Sequence, residues 1–200
     1  MNLCGLLLQS YPLDHCSSAN AQIMNSTTLH QHQLPRVQDY LHHRPPYLMV
    51  DSIESLEDHA ITTIAEVTGK EFYLAGHFPG APIVPGAILQ EMTTQSAGIL
   101  IAARFNPMEE FNTEDPFFNE YALGVLVRVK GSRFRDFARP GDTLQIRVKL
   151  AALIGENFFE FTARVTRGSQ LIMSNRFQLT NIPSRSLQGM ETEDGMRTPQ

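Results

Sequence analysis

Apolar positions recur with clear periods only between about residues 34 and 182, and the period changes along that stretch. Residues 60–67 place Ile61, Ile64 and Val67 among threonines, a β-branched enrichment that predicts a strand. Residues 85–104 are apolar nearly all round and rich in good helix formers, which predicts a helix buried on most sides. A polar, proline-containing stretch follows at 106–119. Strand signals then return at 121–130, 143–150, 157–166 and 170–179. Gly141 with Asp142, Gly155 with Glu156, and Gly168 with Ser169 supply turns between them. One buried helix followed by antiparallel strands indicates an α+β domain in which a sheet wraps the helix.

Composition adds boundaries. Residues 1–36 are rich in Ser, Asn, Gln and His without a sustained period and read as a flexible N-terminal extension. Residues 37–182 form the domain, and 183–200 read as a flexible C-terminal tail. Met24 lies inside the extension and is a candidate alternative start, which intact mass of the native protein would settle. Two hundred residues suit a single domain with a real core, and 42% hydrophobic residues fit a globular chain. The net charge of −5 does not point to nucleic acid. The two cysteines, Cys4 and Cys16, leave the domain free of any disulfide framework. No segment approaches a membrane span, and the short apolar start lacks the marks of a signal peptide, so the expected location is the cytoplasm.

The chemistry concentrates in Gly76-His77-Phe78-Pro79-Gly80-Ala81-Pro82-Ile83-Val84-Pro85-Gly86, which runs straight into the predicted helix. Such Gly and Pro density fixes the backbone and permits close approach. Pro85 suits the first helical position, which leaves the N–H groups of Gly86 and Ala87 unpaired at the positive end of the helix dipole. That is a place for a developing negative oxygen. Glu91 and Gln95 lie four apart on one helix face with Ile88, Gly98 and Ala102. A carboxyl group on such an apolar face is expected to have a raised pKa and to act as an acid. Singly, these features have structural readings: a tight connection, a hydrogen-bonded histidine, a solvent-facing glutamate. Together they form a candidate base, acid and oxyanion site. His30, His32, His42 and His43 read as part of a solvated His/Gln-rich tract, with no metal-site spacing around them.

These residues carry a resemblance. The stretch 76–86 with Glu91 and Gln95 resembles the signature of the FabZ-type β-hydroxyacyl-acyl-carrier-protein dehydratases. So do His43-Arg44-Pro45-Pro46-Tyr47-Leu48-Met49-Val50-Asp51 upstream, and Arg133-Phe134-Arg135 with Pro140-Gly141-Asp142 downstream. The resemblance implies the hotdog fold, a curled antiparallel sheet around one long helix. It also implies a homodimer with shared active sites, possibly assembled further as a trimer of dimers, and chemistry without metal or organic cofactor. His77 of one subunit would face Glu91 of the other. His77 would remove the α-proton and Glu91 would help the β-hydroxyl leave as water, with Gln95 holding Glu91. The substrate-binding set would be Gly86, Gln95, Phe78 and Pro85, with the thioester oxygen on the Gly86 N–H. Aspartate at the acid position typifies the related dehydratase/isomerase branch, so Glu91 favours the plain dehydratase of fatty acid biosynthesis. Departures from the family pattern are Pro45, the long acidic stretch 106–119, and Val129-Lys130-Gly131.

Arg128, Lys130, Arg133, Arg135 and Arg139 form a local basic run suited to an acidic acyl carrier protein, or simply to a solvated strand. Three other functions stay open on the sequence. They are a specialised dehydratase of polyketide, aryl polyene or unusual lipid synthesis, a hotdog thioesterase, and a non-catalytic acyl-binding protein.

Overall fold

The computed structural model describes residues 28–110, 112–114, 123–155 and 158–182. Most of the predicted extension (including Met24 and both cysteines), the C-terminal tail, and Glu156 of one predicted turn lie outside the described residues. The elements are β1 (Ser52–Leu56), β2 (Ala60–Glu66), α1 (Gly86–Phe105), β3 (Leu123–Phe134), β4 (Thr143–Ile154), β5 (Phe158–Arg167) and β6 (Gln170–Ile182). A short 3-10 turn, Val37–Asp39, precedes them.

The strands form one antiparallel sheet in the order β1-β2-β4-β5-β6-β3. Its inner face is set by alternation: Leu144, Ile146, Val148 and Leu150 on β4, and Phe161, Ala163 and Val165 on β5, are buried. The 20-residue helix, roughly 30 Å long, lies against that face and meets β2, β3, β4, β5 and β6. A sheet curled around it explains why α1 needs apolar side chains on nearly every side. Leu89, Met92, Ile99, Leu100 and Ala103 are almost wholly buried, and each large one contributes about 1.5–3 kcal/mol over exposure. Polar side chains between helix and sheet pair with one another: Thr63 and Ser96 share a 2.7 Å hydroxyl bond, and Asn175 Nδ2 donates to Thr93 Oγ1 at 2.8 Å, while Asn175 Oδ1 is buried without a partner among the described residues. This is the hotdog fold.

Two boundaries differ from the sequence expectation. Residues 28–36, expected as part of the loose extension, lie along the end of α1, where the His30 and His32 N–H groups donate to the Arg104 and Ala103 carbonyls at 2.8 and 3.2 Å. The last carbonyls of a helix lack internal donors, and this segment supplies them. The β3, β4 and β6 strands also run longer than their alternation predicts. Bulges between Val129 and Gly131 and between Leu150 and Ala152 shift the period while the ladder continues. The weakly patterned β1 forms because β2 offers it an antiparallel edge.

Candidate active site

The loop before α1 is held by its own backbone. His77 N–H donates to Leu74 O at 3.1 Å, Ala81 N–H to Phe78 O at 3.0 Å, and Ile83 N–H to His77 O at 2.9 Å. Gly80 sits at a φ of 77°, which a side chain would disfavour. The His77–Phe78 peptide is cis. Within this frame His77 Nδ1 lies 2.9 Å from the Ile83 carbonyl oxygen. A carbonyl only accepts, so Nδ1 carries the hydrogen and Nε2 is left with its lone pair. The Phe78 ring stacks on His77 with centroids 4.4 Å apart and is otherwise exposed.

Pro85 is the helix cap, one residue earlier than expected. Its ψ of 142° is extended, and its carbonyl accepts from the Ile88 and Leu89 N–H groups at 2.9 and 3.1 Å. Gly86 is therefore the first helical residue, and among the described residues the N–H groups of Gly86 and Ala87 have no acceptor. The Phe134 ring covers this spot so closely that a Cβ on Gly86 would stand 2.8 Å from Cζ.

Further along α1, Glu91 Oε1 accepts a 3.0 Å hydrogen bond from Gln95 Nε2. Gln95 is almost fully buried. Its Nε2 also donates to Tyr47 O at 2.8 Å, and its Oε1 accepts from Met49 N–H at 2.8 Å. One amide thus stitches the segment around residues 43–49 to the helix beside Glu91. Arg44 anchors the same segment through the Leu41 and Thr113 carbonyls at 2.8 and 2.9 Å.

This docking corrects the reading of His43 as part of a solvated tract. His43 Nε2 is 3.8 Å from Glu91 Oε1, its ring stacks on Tyr47 at 5.9 Å, and its Nδ1 is buried without a hydrogen-bond partner. Burial holds the imidazole below its ordinary pKa; the Glu91 charge opposes this and Arg44 adds to it. Burial also raises the Tyr47 hydroxyl, with Glu91 acting the same way. The signal for His43 was its place in the segment 43–51 rather than its histidine-rich neighbourhood.

Within one chain no hydrogen bond or ion pair joins His77 to Glu91. Of the basic run, Arg128 and Lys130 share the outer face of the sheet with Arg133: Arg128 stands opposite Gln178, Lys130 pairs with Glu160, and Arg133 is opposite Ser174. Arg135 and Arg139 lie in the turn after β3, where Arg139 sits 5.2 Å from the centre of the Phe137 ring. Glu160 is buried yet held below the usual carboxylate range: burial raises it, and donors from Lys130, Gln178 and Arg176 more than offset this. Among the described residues no cluster of three or more His, Cys, Asp or Glu side chains could hold a metal, and no helix is long and apolar enough to cross a membrane.

A hotdog sheet around one helix carries an imidazole in a rigid loop and a carboxyl group on the helix, the acid and base types that a hydro-lyase uses. Comparison with known proteins makes this specific. The family profile described as ApeI-like, ApeI dehydratase, matches residues 53–175. A 3-hydroxyacyl-[acyl-carrier-protein] dehydratase FabZ of Thiobacillus denitrificans is 30% identical over 148 residues, 74% of this chain and 95% of the relative. One from Coxiella burnetii is 32% identical, covering 68% of this chain and 89% of the relative. Among solved structures, the dehydratase heterocomplex ApeI:P from Xenorhabdus doucetiae superposes with a TM-score of 0.63 at 19% identity, covering 80% of this chain and all of that one. The chain belongs to the ApeI-like, FabZ-related family of hotdog dehydratases.

Proposed function

We propose that this protein converts a (3R)-3-hydroxyacyl group on acyl carrier protein to the trans-2-enoyl thioester. The observation that carries the reading is the His77 Nδ1 bond to Ile83 O, which leaves Nε2 as a free base in the loop that leads to the unpaired Gly86 N–H. Nε2 takes the α-proton, and the thioester oxygen gathers the charge and accepts from Gly86 N–H. The Cβ–O bond breaks as the acid form of Glu91 gives its proton to the hydroxyl, and water leaves with the new double bond between Cα and Cβ. Gln95 and His43 position Glu91, while Phe78 and Pro85 line the approach. The proton on His77 returns to Glu91 before the next turnover.

The site is shared between two copies of the chain, His77 of one facing Glu91 of the other. The absence of a His77–Glu91 contact within one chain supports this, as does β3, a 12-residue edge strand with exposed Val125, Leu126 and Val129. Carrier-borne substrate is drawn from the FabZ relatives, and with it a place in fatty acid biosynthesis. The ApeI-like profile supports a second reading, in which the same residues dehydrate the acyl group of a specialised pathway. Turnover of short and long 3-hydroxyacyl carrier substrates, with product followed by mass, tests both. Water loss that disappears in His77→Ala is expected, and water loss unchanged in that variant overturns the assignment. Chain-length preference separates the two pathways.

A further inference from the structure

The groups that draw an α-proton from a thioester are also groups that can hydrolyse one. A free imidazole nitrogen, His77 Nε2, can take a proton from water as well as from carbon. The Gly86 N–H stabilises negative charge on the carbonyl oxygen in either reaction. In hydrolysis the water oxygen bonds to the thioester carbon as its proton passes to Nε2. The C–S bond then breaks, and the imidazole gives that proton to the thiolate. Which reaction occurs depends on whether water can stand at that carbon. One ring occupies the space in front of the helix start. Cζ, Cε1 and Cε2 of Phe134 would lie 2.8, 2.9 and 3.4 Å from a Cβ on Gly86, so the ring enters tip-first into the room the glycine leaves. Ser132, two residues earlier on the same face of β3, donates to Gln90 Oε1 at 3.1 Å. Gln90 lies about one turn beyond Gly86 on α1, so two strand positions rest on two matching helix positions. Past the ring, Arg135 N–H donates to Ile172 O at 2.8 Å, and Val84 N–H to Ala138 O at 2.9 Å. These bonds tie the end of β3 to β6 and to the loop that carries His77.

We infer that Phe134 sets reaction specificity: its ring, seated in the socket of Gly86, keeps water from the thioester carbon, so that His77 and the Gly86 N–H drive elimination and not hydrolysis. The inference rests on the dehydratase reading above. The N–H groups of Gly86 and Ala87 are the donors that would otherwise hold a water there, and an apolar ring gives that water no second partner. Phe134 is 53% exposed, so burial gains the fold only part of what a ring of this size can supply. A large apolar side chain left half open beside reactive groups is a functional feature before it is a structural one. Phe78, the other exposed ring of the site, stacks on the imidazole itself. Its loss would move the base, whereas the loss of Phe134 opens the carbonyl side and leaves the His77 loop with its own hydrogen bonds.

The experiment compares a saturated octanoyl N-acetylcysteamine thioester, which has no β-hydroxyl to lose, with its 3-hydroxy counterpart, following free acid and enoyl product by mass. Phe134→Ala should release free acid from the saturated thioester about 10²-fold faster than the wild type, the size that general-base assistance supplies. Phe134→Val should do so by less, and Phe134→Leu, which keeps more of the bulk, should stay near the wild type. Adding His77→Ala to Phe134→Ala should abolish the release. On the 3-hydroxy thioester, Phe134→Ala should divide its product between enoyl thioester and free acid. A folded Phe134→Ala protein that leaves the saturated thioester intact overturns the inference. The same result with a changed assembly mass assigns the ring to subunit contact instead. Free acid released equally by the wild type, or still released without His77, overturns it as well. Absence of enoyl product from the wild type counts against the dehydratase reading alone, because water exclusion is read separately on the saturated thioester.

Discussion

Replacing Gln95 by Leu is the sharpest test of how the site is held. The two side chains have similar volume, so the change removes hydrogen bonds without opening a large cavity. Three are lost: to Met49 N–H, Tyr47 O and Glu91 Oε1. Met49 is buried, and its N–H would be left without a partner, at about 1–3 kcal/mol. Tyr47 is half exposed, so water can replace the donor to its carbonyl at a cost of at most about 1 kcal/mol. The sum is about 1–4 kcal/mol, or roughly 3–15 °C in Tm for a body of this size. Thermal or denaturant unfolding reads this directly. The segment carrying His43 is fastened to the helix by the same amide, so kcat should fall in the folded variant while KM moves less. A Tm within about 1 °C of wild type, with kcat intact, would refute the view that Gln95 joins segment 43–49 to Glu91.

Other perturbations follow from the same geometry. His77→Ala and Glu91→Gln should each lower kcat by roughly 10²–10⁴-fold with unfolding midpoints near wild type, measured as enoyl product formation. Gly86→Ala forces a methyl group into the Phe134 ring 2.8 Å away; turnover should drop, and adding Phe134→Ala should restore part of it. His43 is held below its ordinary pKa in the fold, so the unfolded chain binds the extra proton first. Stability should therefore decline as pH falls below about 6.5 and level off below the folded pKa, and His43→Gln should flatten that decline. Glu160→Gln strips the counter-charge from Lys130 and Arg176 and should cost about 1–3 kcal/mol near neutral pH. Because the Glu160 carboxyl is held low, that difference is full above the ordinary glutamate pKa of about 4.3, shrinks as pH falls through it, and is gone below the folded pKa of Glu160.

Local chemistry made much of this protein legible from its residues. An all-round apolar helix demands a wrapping sheet, alternation marks the strands of that sheet, and Pro85 followed by Gly86 marks where the helix begins with free N–H groups. Glu91 and Gln95 share a face because 3.6 residues make a turn. What the chain could not reveal by itself depends on contacts between distant segments. His43 looked like one histidine in a polar tract until the Gln95 amide brought its segment, 46 residues away, onto the helix beside Glu91. The arginines on the outer face of the sheet are equally invisible as a group along the chain: Arg133, Arg147, Arg164 and Arg176 are separated by a dozen residues or more, and only strand register gathers them. Periodicity is a local property and is written in the sequence. Which side chains meet across strands and loops is settled by packing, because only the closed fold chooses the register.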